Sequence, residues 1–241
     1  MKTYILVIGL LVAASVAGAV YFGQTRSDQN QKNISEENVS KEYTGDVMNH
    51  ATTTAKAMLA GGCFWCVESD LQKYTGVIDA VSGYAGGTGE NPTYGDYAER
   101  GYREVVEVTY DPSKVSYANL VDYVIRHSDA TDPDGSFHDR GPQYTSATYY
   151  SSADEKLAAE TVVKNIDALK VYEKPLALYI VPTVKFWPAE EYHQDYAEKN
   201  PLRYSYYRKA SGRDSFINKH WGYKLYSNSY SHHNSSNKNH D

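Results

Sequence analysis

The sequence predicts an α+β domain over residues 57–226, with helices packed on a mixed sheet, a split-βαβ (ferredoxin-like) core, long irregular loops and a C-terminal extension. Two observations predict this class: short strand-type runs recur along the region, and two long segments with helical spacing separate them. A third is size, because 241 residues with 41% hydrophobic and 22% charged residues suit one folded domain with appendages.

The first half of the domain is predicted to open as strand, turn and helix. An apolar strand over residues 57–60 meets a glycine pair, and a helix follows over residues 63–71. Two more strands are predicted over residues 77–84, before a second glycine pair, and over Arg103–Tyr110, before an Asp-Pro pair.

Two longer helices and a last strand make up the second half. Ser116 caps a helix whose apolar side chains follow helical spacing; these are Tyr117, Leu120, Val121, Val124 and Ile125. Ser152 and Glu155 form a capping-box pattern for the next helix, whose predicted buried stripe is Ala158, Val162, Ile166 and Leu169. A strand over residues 176–181 then ends at Pro182.

Residues 129–143 interrupt this succession of helices and strands, because their prolines and glycines favour neither helix nor strand. Structureless loops of this length inside a compact domain are often functional. The polar and aromatic side chains Phe137, His138, Asp139 and Arg140 favour a functional role here.

An uncharged N-terminal segment predicts membrane targeting over residues 1–22. Residues 4–22 carry no charge, which is close to the roughly 20 apolar residues that span a bilayer. This length favours a retained anchor, whereas Ala17-Gly18-Ala19 resembles a signal-peptide cleavage site. Because no comparable segment follows, we expect an exported domain anchored in the cytoplasmic membrane, outside the cytoplasm.

Polar segments flank the domain on both sides. Residues 23–56 are rich in Gln, Asn, Ser and Lys and are predicted to be a flexible linker. Residues 227–241 are predicted to be a disordered tail, in which His232, His233 and His240 are read as solvated side chains rather than as metal ligands.

Composition excludes several classes of function. Lys and Arg total 24 against 30 Asp and Glu, a net charge of −6, which provides no broad basic surface for nucleic acid. Two cysteines cannot build a disulfide-rich scaffold or a four-thiolate zinc site. Any role of the thiols must therefore be chemical, and we expect neither a metal nor an organic cofactor.

Cys63 and Cys66 are the strongest candidates for chemistry. Cys63 follows two glycines at a predicted helix start, where unpaired N–H groups and the helix dipole favour a thiolate. Cys66 lies one turn further on, close enough for a disulfide if the turn adjusts. The alternative is that both cysteines are small buried apolar side chains with no chemical role. That alternative does not explain the glycine pair or the C-x-x-C spacing.

Glu104 is a candidate general acid. It shares the more apolar face of its predicted strand with Val106, Val108 and Tyr110, so its carboxyl is expected to be partly desolvated. Desolvation raises a carboxyl pKa and keeps the group protonated near neutrality. A solvent-exposed glutamate at the strand end remains the alternative. Tyr94 and Tyr144 each follow a proline turn and are either hydrogen-bond donors to a cleft or packing residues.

Five sequence blocks resemble the A-type peptide methionine sulfoxide reductases over residues 56–221. The blocks, in family order, are Gly61-Gly62-Cys63-Phe64-Trp65-Cys66, Val81-Ser82-Gly83-Tyr84-Ala85-Gly86-Gly87, Asn91-Pro92-Thr93-Tyr94, Phe137-His138-Asp139-Arg140-Gly141-Pro142-Gln143-Tyr144 and Glu191-Tyr192-His193-Gln194-Asp195-Tyr196. This resemblance implies reduction of the S epimer of methionine sulfoxide, free or in oxidised proteins and peptides, as protein repair.

The resemblance also implies roles for named residues. Cys63 is the implied nucleophile, which becomes a sulfenic acid, and Glu104 is the implied acid. The implied hydrogen-bond donors to the sulfoxide oxygen are Tyr94 and Tyr144, and Asp139 is implied to support the site. The implied aromatic pocket for the methyl group of the substrate consists of Phe64 and Trp65.

Two departures from the family pattern affect these expectations. Many members recycle through cysteines near the C-terminus, but no cysteine follows Cys66 here. Recycling is then expected through a Cys63–Cys66 disulfide reduced by a thioredoxin-like protein, or directly by an outside thiol. The second departure is Tyr102-Arg103 before Glu104, which leaves the polarity around the acid open.

Two other functions remain open at this point. A general thiol–disulfide oxidoreductase would use both cysteines without needing Glu104, and a membrane-tethered redox sensor would show no turnover. The first leaves the loop over residues 129–143 and the Asn-Pro-Thr-Tyr block without a function. We expect the enzyme to be a monomer.

Overall fold

A computed structural model describes residues 53–222 of the chain. The predicted membrane segment, most of the predicted linker and the predicted tail lie outside the described residues. Within residues 53–222, no helix combines the length and the apolarity needed to cross a bilayer.

The first half of the described chain follows the predicted order. Its elements are β1 (Ala55–Ala60), α1 (Phe64–Leu71), β2 (Val77–Ala85), β3 (Arg103–Tyr110) and α2 (Tyr117–Arg126). Ser116 caps α2 as predicted, because its hydroxyl accepts the Asn119 N–H while the Asn119 side chain accepts the Ser116 N–H.

The second half contains more elements than the sequence predicted. They are β4 (Gly135–Ser136), β5 (Asp139–Arg140), β6 (Ala147–Tyr150), α3 (Ala153–Ala168), β7 (Tyr179–Pro182), β8 (Phe186–Pro188), α4 (Tyr196–Lys199), α5 (Pro201–Ser211) and α6 (Arg213–His220). Two 3-10 helices, Pro142–Tyr144 and Glu191–His193, complete the set.

The main sheet has six strands in the order β7-β6-β1-β3-β2-β8. All neighbours are antiparallel except β6 and β7, which are parallel. Strands β1 and β2 therefore run in the same direction on either side of β3, and α1 connects them. The mixed sheet and the α+β class are confirmed.

Helices α1, α2 and α3 cover one face of the sheet. The buried cluster on this face joins Phe64 and Leu71 of α1 to Val106 and Val108 of β3. Val105, the neighbour of Val106, belongs to a separate cluster with Met58 and Ala147. The alternation predicted for β3 is thus present, and Glu104 lies on the face that carries α1.

Three predicted features are wrong in detail. Residues 129–143 are not without structure, because β4 and β5 form a two-stranded sheet there. The last predicted strand, over residues 176–181, is shorter and begins only at Tyr179. Leu169 lies at the C-cap of α3 and is 50% exposed, because the helix ends one residue before it.

The C-terminal helices were not predicted from the sequence. Pro201 occupies the first turn of α5, where its missing N–H costs no hydrogen bond. Gly212 separates α5 from α6 with a positive φ of 78°. These helices pack onto α1 and complete the surroundings of the cysteines, as described next.

Candidate active site

A tight turn between β1 and α1 positions Cys63. Gly62 has a φ of +90°, and a Cβ at this position would lie 2.7 Å from the Ser136 Cβ atom. Glycine is therefore required both by the backbone conformation and by the close approach of β4. The turn leaves Cys63 as the N-cap of α1, with 5% of its surface exposed.

Cys66 lies in the first turn of α1, directly next to Cys63. Its backbone N–H donates to the Cys63 carbonyl oxygen at 3.1 Å, and its side chain is completely buried. Both cysteines are free, and their thiols are close enough to influence each other's pKa. The structure therefore places the two thiols near each other, as the C-x-x-C spacing predicted.

The two thiols differ in acidity, and Cys63 does not have the lowered pKa that was expected for it. Burial raises the pKa of Cys63. The hydrogen bond from Cys63 lowers the pKa of Cys66 to about 7, and the positive charges of Arg213 and Arg208 contribute to this lowering. The prediction that the helix start lowers the pKa of Cys63 is wrong for this arrangement, because burial of the thiol raises it. The N–H of Phe64 at this helix start donates to another group.

That group is Glu104. Its Oε2 atom accepts the Phe64 N–H at 2.8 Å, so the carboxyl occupies the N-terminal end of α1. Glu104 is 2% exposed, which confirms its predicted burial. Burial raises its pKa to about 8, although the hydrogen bonds from Phe64 and Tyr97 act in the opposite direction. At neutral pH the carboxyl is mostly protonated.

A short chain of phenols links Glu104 to the loops. The Tyr97 hydroxyl donates to Glu104 Oε1 at 2.8 Å and lies 3.3 Å from the Tyr144 hydroxyl. The Tyr94 ring stacks on Tyr97 with 5.7 Å between ring centroids. Burial, followed by the nearby Glu104 charge, raises the pKa of Tyr94 to about 12, so this phenol stays neutral.

One pocket of about 80 Å³, open to solvent, gathers these groups. Seven of the eight predicted site residues line it, and Cys66 is the exception because it lies in the interior behind Cys63. The lining residues are Cys63, Phe64, Trp65, Tyr94, Glu104, Asp139, Tyr144 and Tyr207.

Trp65 forms one aromatic wall of the pocket. Its ring stacks on Tyr196 at 3.8 Å between centroids, with 7° between the planes. Its indole N–H donates to His193 Nδ1 at 3.1 Å, and the His193 ring lies 5.1 Å from Phe64. These contacts fix the orientation of the predicted aromatic pocket, which suits a small apolar group such as a methyl.

Asp139 reaches the pocket from β5. It accepts a hydrogen bond of 2.5 Å from the Tyr207 hydroxyl, and Tyr207 lines the same pocket as Cys63. Burial raises the pKa of Asp139. Helix α5 therefore contributes a phenol to the pocket, next to the loop carboxylate.

Sequence reasoning missed four residues of this site: Tyr97, His193, Tyr207 and Arg213. His193 belongs to one of the five blocks that resemble the family, and Tyr97 follows Tyr94 by about one helical turn. The sequence therefore offered a reason to consider both residues. Tyr207 and Arg213 carried none, because their helices were not predicted. The sequence left open how Arg103 affects the polarity around Glu104. In the structure its guanidinium donates to the hydroxyls of Thr145 and Tyr149 and not to Glu104.

The arrangement suits attack by a thiol on a polar, oxygen-bearing sulfur. Cys63 and a protonated carboxyl face the same pocket, and neutral phenols supply further donors to a negatively polarised oxygen. An aromatic wall beside the thiol can hold the apolar end of the same molecule.

Comparisons with known proteins agree with this geometry. The family model described as peptide methionine sulfoxide reductase matches residues 55–225. The chain is 48% identical to peptide methionine sulfoxide reductase MsrA 2 of Rhizobium meliloti over 170 residues, which are 70% of this chain and 85% of the relative. It is 49% identical over 169 residues to peptide methionine sulfoxide reductase MsrA/MsrB of Vibrio cholerae. That match covers 69% of this chain and 45% of the relative, so the chain spans less than half of that protein.

A solved structure supports the fold. The reduced form of Mxr1 from Saccharomyces cerevisiae matches with a TM-score of 0.58 and 28% identity, over 63% of this chain and 88% of that chain.

Proposed function

The chain belongs to the peptide methionine sulfoxide reductase family, and we propose that it reduces the S epimer of methionine sulfoxide, free or in oxidised proteins, through a sulfenic acid on Cys63. Its class is an oxidoreductase that repairs oxidised methionine. The single observation that carries the proposal is the shared pocket of Cys63 and the buried Glu104.

The chemical step follows from this pairing. A sulfoxide sulfur is a poor electrophile until its oxygen is protonated or hydrogen-bonded. Glu104 donates a proton to that oxygen, with Tyr94 and Tyr144 as neutral donors, while the Cys63 sulfur attacks. In net terms the oxygen moves to Cys63: the thiol becomes a sulfenic acid and the sulfoxide becomes methionine.

Recycling is proposed to use Cys66. Its thiol condenses with the sulfenic acid to form a Cys63–Cys66 disulfide and water, and an external dithiol then reduces the disulfide. The position of both thiols in the first turn of α1, where the Cys66 N–H donates to the Cys63 carbonyl oxygen, supports this route. A thioredoxin-like protein is the proposed reductant, and the proposed setting is a monomer anchored outside the cytoplasm by residues 1–22.

A direct assay tests the proposal. The purified protein is supplied with dithiothreitol and each epimer of methionine sulfoxide separately, and released methionine is measured. Turnover of the S epimer alone is the expected result. Turnover of disulfides without reduction of sulfoxide would instead favour a general thiol–disulfide oxidoreductase, and absence of any turnover would favour a redox sensor.

The Cys63→Ser variant is expected to lose all measurable turnover in this assay. A hydroxyl is a much weaker nucleophile than sulfur and cannot form a sulfenic acid, so serine cannot replace Cys63 in this step. Appreciable residual reduction by the variant would assign the nucleophile to another residue.

A further inference from the structure

The two cysteines have different surroundings, although they lie in one helical turn. Cys63 lines the pocket that is open to solvent, whereas Cys66 does not line it. Cys66 is completely buried and forms a small cluster with Tyr196 of α4 and Tyr204 of α5. A reagent from solvent can therefore approach the Cys63 sulfur through the pocket, but packed side chains block its way to Cys66.

Trp65 and Tyr207 form the partition between the pocket and Cys66. Both rings line the pocket, and both also pack against the cluster that contains Cys66. The Trp65 ring is held by its stack on Tyr196, and the Tyr207 hydroxyl is held by its hydrogen bond to Asp139. Because these partners lie outside the cysteine turn, a rearrangement of that turn does not by itself remove the partition.

Helix α5, which covers Cys66, is fixed to the C-terminal part of α1. Arg208 of α5 donates to Asp70 Oδ1 at 2.8 Å and to the Tyr204 hydroxyl oxygen at 3.0 Å. The pair of Asp70 and Arg208 is mostly shielded from solvent, and breaking such a pair leaves an uncompensated charge. This anchor lies away from the first turn of α1, so the turn can adjust to form a disulfide while Cys66 stays covered.

We propose that the external dithiol of recycling attacks the Cys63 sulfur of the Cys63–Cys66 disulfide through the substrate pocket, so that the transient mixed disulfide forms on Cys63. This inference rests on the proposed function, because it names the sulfur through which that function is restored. Methionine must then leave the pocket before the reductant enters, since both use the same opening.

The exchange proceeds in two balanced steps. In the first, a thiolate of the reductant forms a bond to the Cys63 sulfur while the bond between Cys63 and Cys66 breaks. Cys66 leaves with the electron pair and takes up the proton that the attacking thiol released. In the second, the other thiol of the reductant attacks the reductant's own sulfur in the mixed disulfide and releases Cys63, which takes up the second proton. The enzyme gains two electrons, and the reductant becomes a disulfide.

Trapping of the mixed disulfide tests the inference. The protein is oxidised to the disulfide with diamide, without any sulfoxide, and is mixed with a thioredoxin whose second active-site cysteine is replaced by serine, so that the second step cannot occur. The sample is quenched with acid, and the remaining thiol is alkylated. Chymotrypsin cleaves after Phe64 or Trp65 and separates the two cysteines, so mass spectrometry identifies the one that carries thioredoxin.

The expected ratio of thioredoxin on Cys63 to thioredoxin on Cys66 exceeds roughly 10:1, because exchange depends on which sulfur the thiolate can reach. A share on Cys66 that equals or exceeds the share on Cys63 would overturn the inference.

Tyr204→Ala tests whether the cover determines this ratio. Loss of the ring opens the cluster around Cys66, so the ratio is expected to fall at least about threefold. Tyr206→Ala is the matched control, because Tyr206 lies on the same helix but is 80% exposed, and the ratio should not change. An unchanged ratio in Tyr204→Ala, or an equal fall in both variants, would overturn the role of the cover. If Tyr204→Ala does not fold, the ratio in the parent protein decides alone.

A single-turnover experiment separates this inference from the proposed function. Prereduced protein is mixed with the S epimer of methionine sulfoxide, and released methionine is measured. Failure to release methionine would refute the proposed function, and it would leave the trapping result unaffected because diamide forms the disulfide there. Normal release of methionine with thioredoxin trapped mainly on Cys66 would refute this inference alone.

Discussion

At the residue scale, the burial of Glu104 determines when its carboxyl can donate a proton. The side chain is 2% exposed, and burial raises its pKa to about 8. Below that pH the acid form prevails, and above it the carboxylate prevails. An enzyme that needs the acid form should therefore lose activity as the pH rises through about 8.

Glu104→Gln is expected to slow sulfoxide reduction by roughly 10²- to 10⁴-fold, the usual cost of losing a general acid. The amide keeps the shape of the carboxyl but has no proton to donate, so the loss of activity near pH 8 should also disappear from the pH profile. Steady-state rates from pH 6 to 9 measure both effects.

Glu107→Gln is the matched control for this variant. Glu107 lies on the same strand but pairs with Lys56 at 2.6 Å near the surface, so its variant should keep the parent profile. A normal rate in Glu104→Gln would assign the acid to another group of the pocket.

At the scale of one element, the first turn of α1 holds both thiols. Cys63 is its N-cap and Cys66 lies within it, so a disulfide between them requires only that this turn distorts or frays. The rest of the helix can stay packed on the sheet.

Cys66→Ser is therefore expected to leave the chemical step nearly intact and to block recycling. Prereduced variant should release about one methionine per enzyme, whereas turnover with a thioredoxin-like protein should fall steeply. Mass spectrometry after one turnover should find a Cys63–Cys66 disulfide in the parent and a trapped sulfenic acid in the variant. An unchanged thioredoxin-driven rate would mean that the reductant attacks the Cys63 sulfenic acid directly.

The same helix carries a second buried carboxyl, Glu68. It is 1% exposed, and its Oε1 atom lacks a hydrogen-bond partner among the described residues. Burial raises its pKa to about 7 from the ordinary 4.5. Because the folded state holds the proton more tightly than the unfolded state, stability is lost as the pH rises from about 4.5 through about 7.

Glu68→Gln should remove this loss. The free energy of unfolding is measured at pH 4.5 and at pH 8 for both proteins. Between these pH values, that of the variant is expected to rise by roughly 1–3 kcal/mol relative to that of the parent. Urea unfolding at both pH values measures the difference. Glu160→Gln, on the exposed side of α3, is the control and should change nothing; a pH dependence of Glu68→Gln identical to that of the parent would contradict the argument.

At the scale of the whole molecule, we propose that the N-terminal segment holds the catalytic domain outside the cytoplasm. Lys2 precedes the uncharged stretch, and no comparable stretch follows to return the chain across a membrane. We therefore expect protease added to intact spheroplasts to remove the catalytic domain while a cytoplasmic marker survives. Protection of the domain until the cells are lysed would reverse the proposed topology.

The sequence by itself determined the features that depend on neighbouring residues. The strand Arg103–Tyr110 was predicted with its observed bounds, because alternation of side chains is a local property. The cap at Ser116 and the turn before Cys63 follow from the chemistry of a few adjacent residues. Family blocks then pointed to the side chains that line the pocket.

Only the tertiary structure decided the features that depend on distant residues. Nothing local indicates that Tyr207 lines the pocket of Cys63, or that Arg213 binds the Gly61 carbonyl oxygen from 152 positions away. The acidities of the two thiols also depend on which groups fold against them, which is why the lowered pKa expected for Cys63 is not found. Burial and charge act through space, so they become known only when the chain has brought its separate segments together.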